Sequence, residues 1–150
     1  MCGRWVEVTE GVFARRYAEL DLTVGLVLGT ERALVIDTRG DEAQGAELAK
    51  AVRSITDLPL MVVLTHAHFD HCFGTRAFGD VPVYAQHGCR AWLENTAEAQ
   101  RREWVEYYRA RGDQETAEAL AATRIVLPEI LVVRTAELDL GGRSVRLLHP

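Results

Sequence analysis

The stretch from Thr65 to His71, THAHFDH, carries three of the five histidines of this 150-residue chain, together with an aspartate. Imidazole nitrogens and carboxylate oxygens are ligands that suit Zn²⁺. Side chains alternate across a strand, so His66 and His68 project from the same side if the extended conformation continues past Thr65. Asp70 and His71 follow where we expect the chain to turn into a helix. The spacing predicts a metal site formed by His66, His68, Asp70 and His71.

Each of these residues also has an ordinary structural interpretation. Asp70 could cap a helix that starts at His71, and His66 or His68 alone could be a hydrogen-bonded structural histidine. We favour the metal site because the ordinary interpretation must be repeated four times within six residues. A zinc ion lowers the pKa of a bound water molecule to about 7, so the chemistry that this cluster predicts is metal-assisted hydrolysis.

Two apolar strands are predicted to position the cluster. The run Leu60–Thr65, LMVVLT, is continuous and apolar, as in strands that are covered on both faces. The cluster follows its carboxyl end, where ligand sites in α/β sheets usually lie. A second buried strand, RALVIDTRG, ends in Asp37. Between the two strands, helical spacing of apolar residues predicts an amphipathic helix over Asp41–Ile55.

The remaining elements follow from local patterns. The segments WVEV, GVFARRY and TVGLVLG predict an opening meander of strands. After a short helix over His71–Phe78, PVYAQ is a predicted strand and HGCRAWLENT starts a helix. Polar helical patterning over Ala97–Thr123, broken at Gly112-Asp113, predicts a helical hairpin. The final strands are joined by a turn at Gly141-Gly142. The aromatic residues of the helical segment are either core or a lid over a substrate: Trp92, Trp104, Tyr107 and Tyr108.

Composition excludes several classes of partner. The formal net charge is −5 and no basic face stands out, which argues against nucleic acid. No apolar run approaches the roughly 18 residues that a membrane span needs, and the first residues do not resemble a secretory leader. We therefore expect a cytoplasmic protein with a small-molecule substrate. The three cysteines, Cys2, Cys72 and Cys89, are widely spaced and predict reduced thiols.

The pattern H-x-H-x-D-H at His66–His71 resembles the signature of the metallo-β-lactamase-fold hydrolases. The upstream LVIDTRG and the downstream PVYAQ are also similar to that family, and the resemblance runs from Val12 to Pro150 apart from the helical insertion. It implies an α/β fold, the N-terminal portion of an αββα sandwich, with a mixed sheet and flanking helices. Residues 1–150 would form a single domain.

The resemblance also implies roles for individual residues. His66 and His68 would bind one ion, and Asp70 and His71 a second. The ions would be zinc, up to two, with iron and manganese as alternatives. Asp70 would also act in catalysis by orienting the hydroxide. Asp37 and Thr65 would hydrogen-bond to the ligands and fix their orientation, although Asp37 could equally be a turn-forming residue at the end of its strand.

Two departures from the family pattern limit these implications. Many members carry a Gly-Gly pair after the motif, whereas this chain has Cys72-Phe73-Gly74-Thr75, so the resemblance does not give the substrate subclass. The family's third histidine, bridging aspartate and final histidine come after a strand resembling VRLLHP, and the sequence stops at Pro150. His149 precedes the usual ligand position and is a poor replacement. We therefore expect an incomplete domain that binds metal weakly.

Three hypotheses remain open. In the first, the chain is a metal-dependent hydrolase in which metal-bound hydroxide attacks an ester, thioester, lactam or related substrate, with activity not assured for these 150 residues alone. In the second, it is a catalytically silent half-domain that pairs with itself, as a homodimer, or with a complementing chain. In the third, the sequence is a truncated product of a longer gene.

Overall fold

The computed structural model describes residues 3–150 and consists of two sheets and four α-helices. Seven strands form the large sheet in sequence order: β1 (Trp5–Thr9), β2 (Val12–Tyr17), β3 (Leu22–Leu28), β4 (Ala33–Ile36), β5 (Leu60–Val63), β6 (Val83–Gln86) and β7 (Ile130–Val132). A separate hairpin contains β8 (Thr135–Asp139) and β9 (Ser144–Leu148). The helices are α1 (Glu42–Arg53), α2 (Phe69–Cys72), α3 (His87–Ala110) and α4 (Gln114–Ala122), and short 3₁₀ turns cover Glu19–Asp21 and Thr75–Phe78.

The large sheet changes direction in its middle. Strands β1 to β4 are antiparallel neighbours, which confirms the predicted meander, and β4 to β7 are parallel. Ile36 at the end of β4 pairs with Val63 at the end of β5. Because parallel strands end at the same edge of a sheet, Asp37 and the THAHFDH segment leave the sheet side by side.

Helix α1 connects β4 to β5 close to the predicted bounds. Its N-cap is Asp41, whose carboxylate accepts a hydrogen bond of 2.7 Å from the backbone N–H of Gln44. Burial raises the pKa of Asp41. The helix buries Leu48 on the sheet. Gly45 touches the turn after α2, where an added Cβ would lie only 2.2 Å from the carbonyl oxygen of Gly74.

Helices α3 and α4 form the predicted helical hairpin, with the break at Arg111–Asp113. Arg101 of α3 donates to the carbonyl oxygens of Leu120 and Thr123 at the end of α4, at 2.9 and 2.6 Å. The hydroxyl of Thr123 in turn accepts a hydrogen bond from the backbone N–H of Glu42 at the start of α1. The hairpin is therefore fastened to the element that connects β4 and β5.

The two faces of the large sheet are covered differently. The helices cover one face with a cluster of 24 buried residues that includes Val35, Leu48, Val62 and Leu93. The hairpin β8–β9 covers the other face with a smaller cluster: Val27, Leu34, Met61, Val63, Leu138 and Leu140. The protein is thus a three-layer mixed α/β structure. No helix among residues 3–150 combines the length and the apolar character needed to cross a lipid bilayer.

Three details differ from the sequence predictions. Strand β5 ends at Val63 rather than at Thr65, and residues 65–67 form a bend. The predicted helix over 71–78 is divided into α2 and a 3₁₀ turn, and it begins earlier, at Phe69. Asp70 therefore lies inside the first turn of α2, and His68 occupies the N-cap position. Cys2 lies outside the described residues.

Candidate metal centre

The three histidines of THAHFDH come together at the edge of the sheet. The ring of His66 lies 4.7 Å from that of His68 and 4.1 Å from that of His71, measured between ring centroids. The convergence has a different origin from the one predicted. The chain bends at residues 65–67 instead of continuing as a strand, so the bend and the first turn of α2 bring the rings together.

Asp37 organises this cluster from the end of β4. Its Oδ1 accepts a hydrogen bond from the backbone N–H of Thr65 at 2.8 Å. Its Oδ2 accepts one from the Thr65 hydroxyl at 2.7 Å and lies 2.6 Å from Nδ1 of His71. Asp37 is 2% exposed and adopts a left-handed backbone conformation with φ of 67°. It is both a turn residue and a hydrogen-bond partner of the cluster.

These contacts determine which ring nitrogens carry hydrogen. Because a carboxylate only accepts hydrogen bonds, Nδ1 of His71 must donate to Asp37. The Thr65 hydroxyl also donates to Asp37, so its oxygen accepts from Nδ1 of His66, 2.9 Å away. Both Nδ1 atoms are therefore protonated in the neutral rings. The Nε2 atoms of His66 and His71 then keep their lone pairs, the form that binds a metal ion.

The donor set fits a metal ion. Asp37, His66 and His71 each offer a ligand atom, and these atoms lie within 4.8 Å of one another. Because Asp37 is already hydrogen-bonded to His71, it acts as the partner that orients this ring. Oδ2 of Asp70 lies 3.6 Å from Nε2 of His71. His68 and Asp70 are outside the 4.8 Å group, although the His68 ring contacts that of His66.

The pKa values of the two partly buried histidines, His66 and His71, are shifted in opposite directions. Burial and the neighbouring His71 lower the pKa of His66 below its usual value. Burial also acts to lower the pKa of His71, but the hydrogen bond and the charge of Asp37 outweigh it and the pKa is raised. The Asp37 carboxylate therefore makes the His71 ring more basic, as carboxylate partners do for metal-binding histidines.

A cavity of about 290 Å³ opens beside His66 and His68. Its lining residues are Thr65, His66, Ala67, His68, Gln86, Cys89, Trp92 and His149. Trp92 is 60% exposed, whereas Trp104 and Tyr108 pack in the core cluster. Of the aromatic residues predicted to be core or lid, Trp92 alone among those four lines this cavity.

Sequence patterns did not reveal the contribution of α3 to this site. The side chain of Gln100 hydrogen-bonds to the backbone of Ala67 and Phe69, inside the THAHFDH stretch. The Cys72 thiol donates to the carbonyl oxygen of His66 at 2.8 Å. The neighbouring Cys89 and burial raise the pKa of the Cys72 thiol well above its ordinary value. A glutamine on a polar helix gives no local signal of such a contact.

Comparisons with known proteins point to one family. The model of the Metallo-beta-lactamase superfamily matches residues 20–150. Among solved structures, the metallo-beta-lactamase from Pontibacter korlensis has 16% identity and a TM-score of 0.66, with 96% of this chain and 59% of that chain covered. The one from Hirschia baltica has 14% identity and a TM-score of 0.60, with 93% and 57% covered. FIM-1 from Pseudomonas aeruginosa, in a mono-zinc form, has 20% identity and a TM-score of 0.55, with 65% and 47% covered.

These structures share a fold with the present chain. Its seven-stranded mixed sheet and helices match the metallo-beta-lactamase-fold sandwich. The chain spans about half to three fifths of the length of the solved structures that it matches. A search of curated proteins gave no match.

Proposed function

Because this chain belongs to the metallo-beta-lactamase superfamily, we propose that it is a metal-dependent hydrolase acting on a small molecule with an ester, thioester, lactam or related bond. One observation carries the proposal. The Nδ1 atoms of His66 and His71 are tied to Thr65 and Asp37, so the Nε2 atoms keep their lone pairs, and Asp37, His66 and His71 offer ligand atoms within 4.8 Å of one another.

The ligand residues in this proposal are His66 and His68 for one zinc ion and Asp70 and His71 for a second, with iron or manganese as alternatives. Bound zinc supplies Lewis acidity and lowers the pKa of a water molecule to about 7. The protein residues orient the ligands and the water molecule and bind the substrate. Asp37 and Thr65 hold the two Nδ1 atoms, Asp70 orients the attacking water, and the cavity beside Trp92 receives the substrate.

Metal titration tests the ligand set. We expect purified, metal-depleted protein to bind Zn²⁺, and the double variant His66→Ala plus His68→Ala to lose that binding. The matched control is His87→Ala, because His87 lies at the start of α3 outside the cluster. Equal zinc stoichiometry in the wild type and the double variant would exclude this site. Hydrolysis of a panel of thioesters, esters and lactams, measured with and without a chelator, then identifies the bond that is cleaved.

A second candidate function is self-association. Leu131 and Val133 at the edge of the large sheet are 43% and 64% exposed, and Leu148 of β9 is 65% exposed. A groove of about 360 Å³ between the sheet and the hairpin runs along these strands. Edge strands with exposed apolar side chains are sites of strand pairing. We propose that a second copy of the chain covers this edge.

Sedimentation velocity tests the pairing over a range of protein concentrations. The wild type is expected to form a dimer, and Leu131→Lys plus Val133→Lys to shift it to a monomer. The control is Val6→Lys plus Val8→Lys on β1, at the opposite edge of the sheet, where the valines are similarly exposed. A wild-type monomer at every concentration contradicts self-association.

A further inference from the structure

The segment Ala67–Phe69 follows β5, ends at the first residue of α2 and contains His68, one of the proposed ligands. It has no strand partner, yet Ala67 and Phe69 are only 6% and 4% exposed. Buried backbone N–H and C=O groups that lack a partner are costly. The polar groups of this segment must therefore be satisfied by something other than a sheet ladder.

Gln100, from the middle of α3, satisfies two of them. Its side-chain oxygen accepts a hydrogen bond of 2.8 Å from the backbone N–H of Phe69. Its side-chain nitrogen donates one of 2.8 Å to the carbonyl oxygen of Ala67. The two bonds flank His68 in the sequence. They restrain the peptide groups on both sides of this residue and therefore the direction in which its ring leaves the backbone.

The Gln100 side chain is itself held in place. Its nitrogen also donates to the Thr96 hydroxyl oxygen at 3.0 Å, one turn earlier in α3. The Thr96 hydroxyl donates to the carbonyl oxygen of Trp92 at 2.8 Å. Both side-chain hydrogens of the Gln100 amide are therefore used, and the amide has one orientation.

An aromatic contact reinforces the polar one. The ring of Trp104, one turn after Gln100, lies 4.4 Å from the ring of Phe69 at an interplanar angle of 30°. Helix α3 thus holds the Ala67–Phe69 segment through the backbone groups of the segment and through the side chain of Phe69. The helix is long, with 24 residues, and Arg101 fastens it to the end of α4.

We propose that Gln100 is a positioning residue for the metal centre, which keeps the Ala67–Phe69 backbone in the shape that places the His68 ring against His66. The inference rests on the proposed metal site and adds to it a positioning residue from the helical hairpin. A ligand set that is held in place before the ion arrives loses less conformational entropy on binding. Without Gln100 the buried groups of Ala67 and Phe69 lose their partners, and the segment opens.

The test compares Gln100→Met with Gln114→Met. Methionine has a similar length but makes neither hydrogen bond, and Gln114 is an exposed glutamine whose side chain bonds to Glu118 on α4. Zinc affinity is measured by competition with a chromogenic chelator. We expect Gln100→Met to weaken zinc binding about 10- to 100-fold, as for other residues that orient metal ligands. Gln114→Met should leave it unchanged.

Amide hydrogen exchange supplies a readout that requires no metal. In metal-free protein, Gln100→Met should speed exchange of the Phe69 amide while leaving amides of α1 unchanged. Gln100→Glu keeps an acceptor for the Phe69 N–H and should retain the protection. If Gln100→Met does not fold, Thr96→Val provides the comparison with a smaller expected weakening, because it frees the Gln100 side chain without removing it.

The outcomes separate the two proposals. Equal zinc binding by the wild type and the His66→Ala plus His68→Ala variant overturns the proposed function. The role of Gln100 is overturned separately if the wild type binds zinc and Gln100→Met binds it equally well. An unchanged exchange rate at Phe69 in Gln100→Met also overturns it, whether or not the protein binds zinc.

Discussion

Two partly buried hydrogen-bonded networks meet at the loop after β4, and they use similar groups in different ways. The first joins Asp37 to Thr65, His66 and His71. The second joins Glu47 to Arg15, Tyr17 and Arg39. Each network centres on one carboxylate. The chain connects the two networks because Asp37 and Arg39 belong to the same loop. Both residues have a positive φ, 67° and 73°.

The networks differ in what they leave unused. The carboxylate of Glu47 accepts from Arg15 at 2.6 Å, from the Tyr17 hydroxyl at 2.7 Å and from Arg39 at 3.2 Å. The guanidinium of Arg39 also lies over the Tyr17 ring, 3.7 Å from its centroid. Only Nε of Arg39 lacks a partner there among the buried side-chain atoms of residues 3–150. The hydrogen bonds of the Glu47 carboxylate all go to members of this network, which is the behaviour of a structural element.

In the Asp37 network, by contrast, the Nε2 atoms of His66 and His71 keep their lone pairs, and His66 lines a cavity. Burial alone therefore does not distinguish a site from a structural network in this protein. The informative feature is the presence of ring nitrogens that keep their lone pairs and take no part in the hydrogen bonds of the network. If this interpretation is right, breaking the Glu47 network should reduce stability, and breaking the Asp37 network should reduce metal affinity.

The largest expected effect is on stability, from Glu47→Ala. The guanidinium groups of Arg15 and Arg39, about 10% exposed, would lose their counter-ion inside the protein. Breaking a buried ion pair costs about 3–5 kcal/mol, and the lower figure applies because Glu47 itself is about a third exposed. Urea denaturation measures the change. The control Glu98→Ala removes a pair with Arg101 in which the carboxylate is 70% exposed, and it should cost at most about 1 kcal/mol.

The second effect is on zinc affinity, from Asp37→Asn. The asparagine oxygen would take the N–H of Thr65, so its NH₂ group would face His71 and the Thr65 hydroxyl. It would donate to both, and Nε2 of His71 and of His66 would then carry the hydrogen and could not bind a metal ion. We expect zinc affinity to fall about 10- to 100-fold. The Nε2 hydrogens are observable by NMR of the imidazole nitrogens.

Asp139→Asn is the control for this substitution, because Asp139 accepts a backbone hydrogen bond in the hairpin that asparagine can also accept. Unchanged zinc affinity together with unchanged imidazole tautomers in Asp37→Asn would show that Asp37 belongs with the structural network. Glu47→Ala should change zinc affinity less than Asp37→Asn does, once both are compared at temperatures where the variants are folded.

The third effect concerns pH and Tyr17. Burial and the hydrogen bond to Glu47 raise the pKa of Tyr17 from 10.0 to about 12. The folded protein therefore keeps the phenolic proton above pH 10, where the unfolded chain loses it, and the contribution of Tyr17 to stability declines as the pH rises from 10 through 12. Tyr17→Phe should cost about 1–2 kcal/mol at pH 7. The difference from wild type should shrink above pH 10, and a constant difference would contradict the assignment.

The smallest effect is expected from Thr65→Val, which keeps the side-chain shape but removes the hydroxyl between Asp37 and His66. Stability should fall by about 1 kcal/mol. Zinc affinity should fall less than in Asp37→Asn, because the hydrogen bond from His71 to Asp37 remains. Calorimetry on the same samples gives both quantities. A larger loss of affinity than in Asp37→Asn would place the orienting role on Thr65.

Much of the scaffold could be predicted because it follows from local patterns. Continuous apolar residues identified β5, and helical spacing with Asp41 at its start identified α1. The prediction that β5 extends to Thr65 was wrong for a non-local reason. Asp37 turns out of β4 with a positive φ, so the ladder ends, and the N–H of Thr65 bonds to the Asp37 side chain instead of a neighbouring strand.

The site was partly predictable. The types and spacing of the residues indicated metal chemistry, but their arrangement depends on contacts between distant segments. The alternative in which Asp70 caps a helix that starts at His71 does not hold, because α2 starts at Phe69 and His68 occupies its N-cap position. Gln100 was not identified at all, because its partners lie 31 and 33 positions away and the polar face of a helix resembles any solvated surface.

The contact between α1 and the turn after α2 limits how this protein could be engineered. An added Cβ at Gly45 would meet the Gly74 carbonyl at 2.2 Å, and one at Gly74 would meet the Thr38 carbonyl oxygen at 1.9 Å. A mutant library aimed at new substrates should therefore leave both glycines untouched. Diversity can instead be concentrated at Trp92, whose exposed side chain has room to vary without disturbing the backbone that carries the histidines.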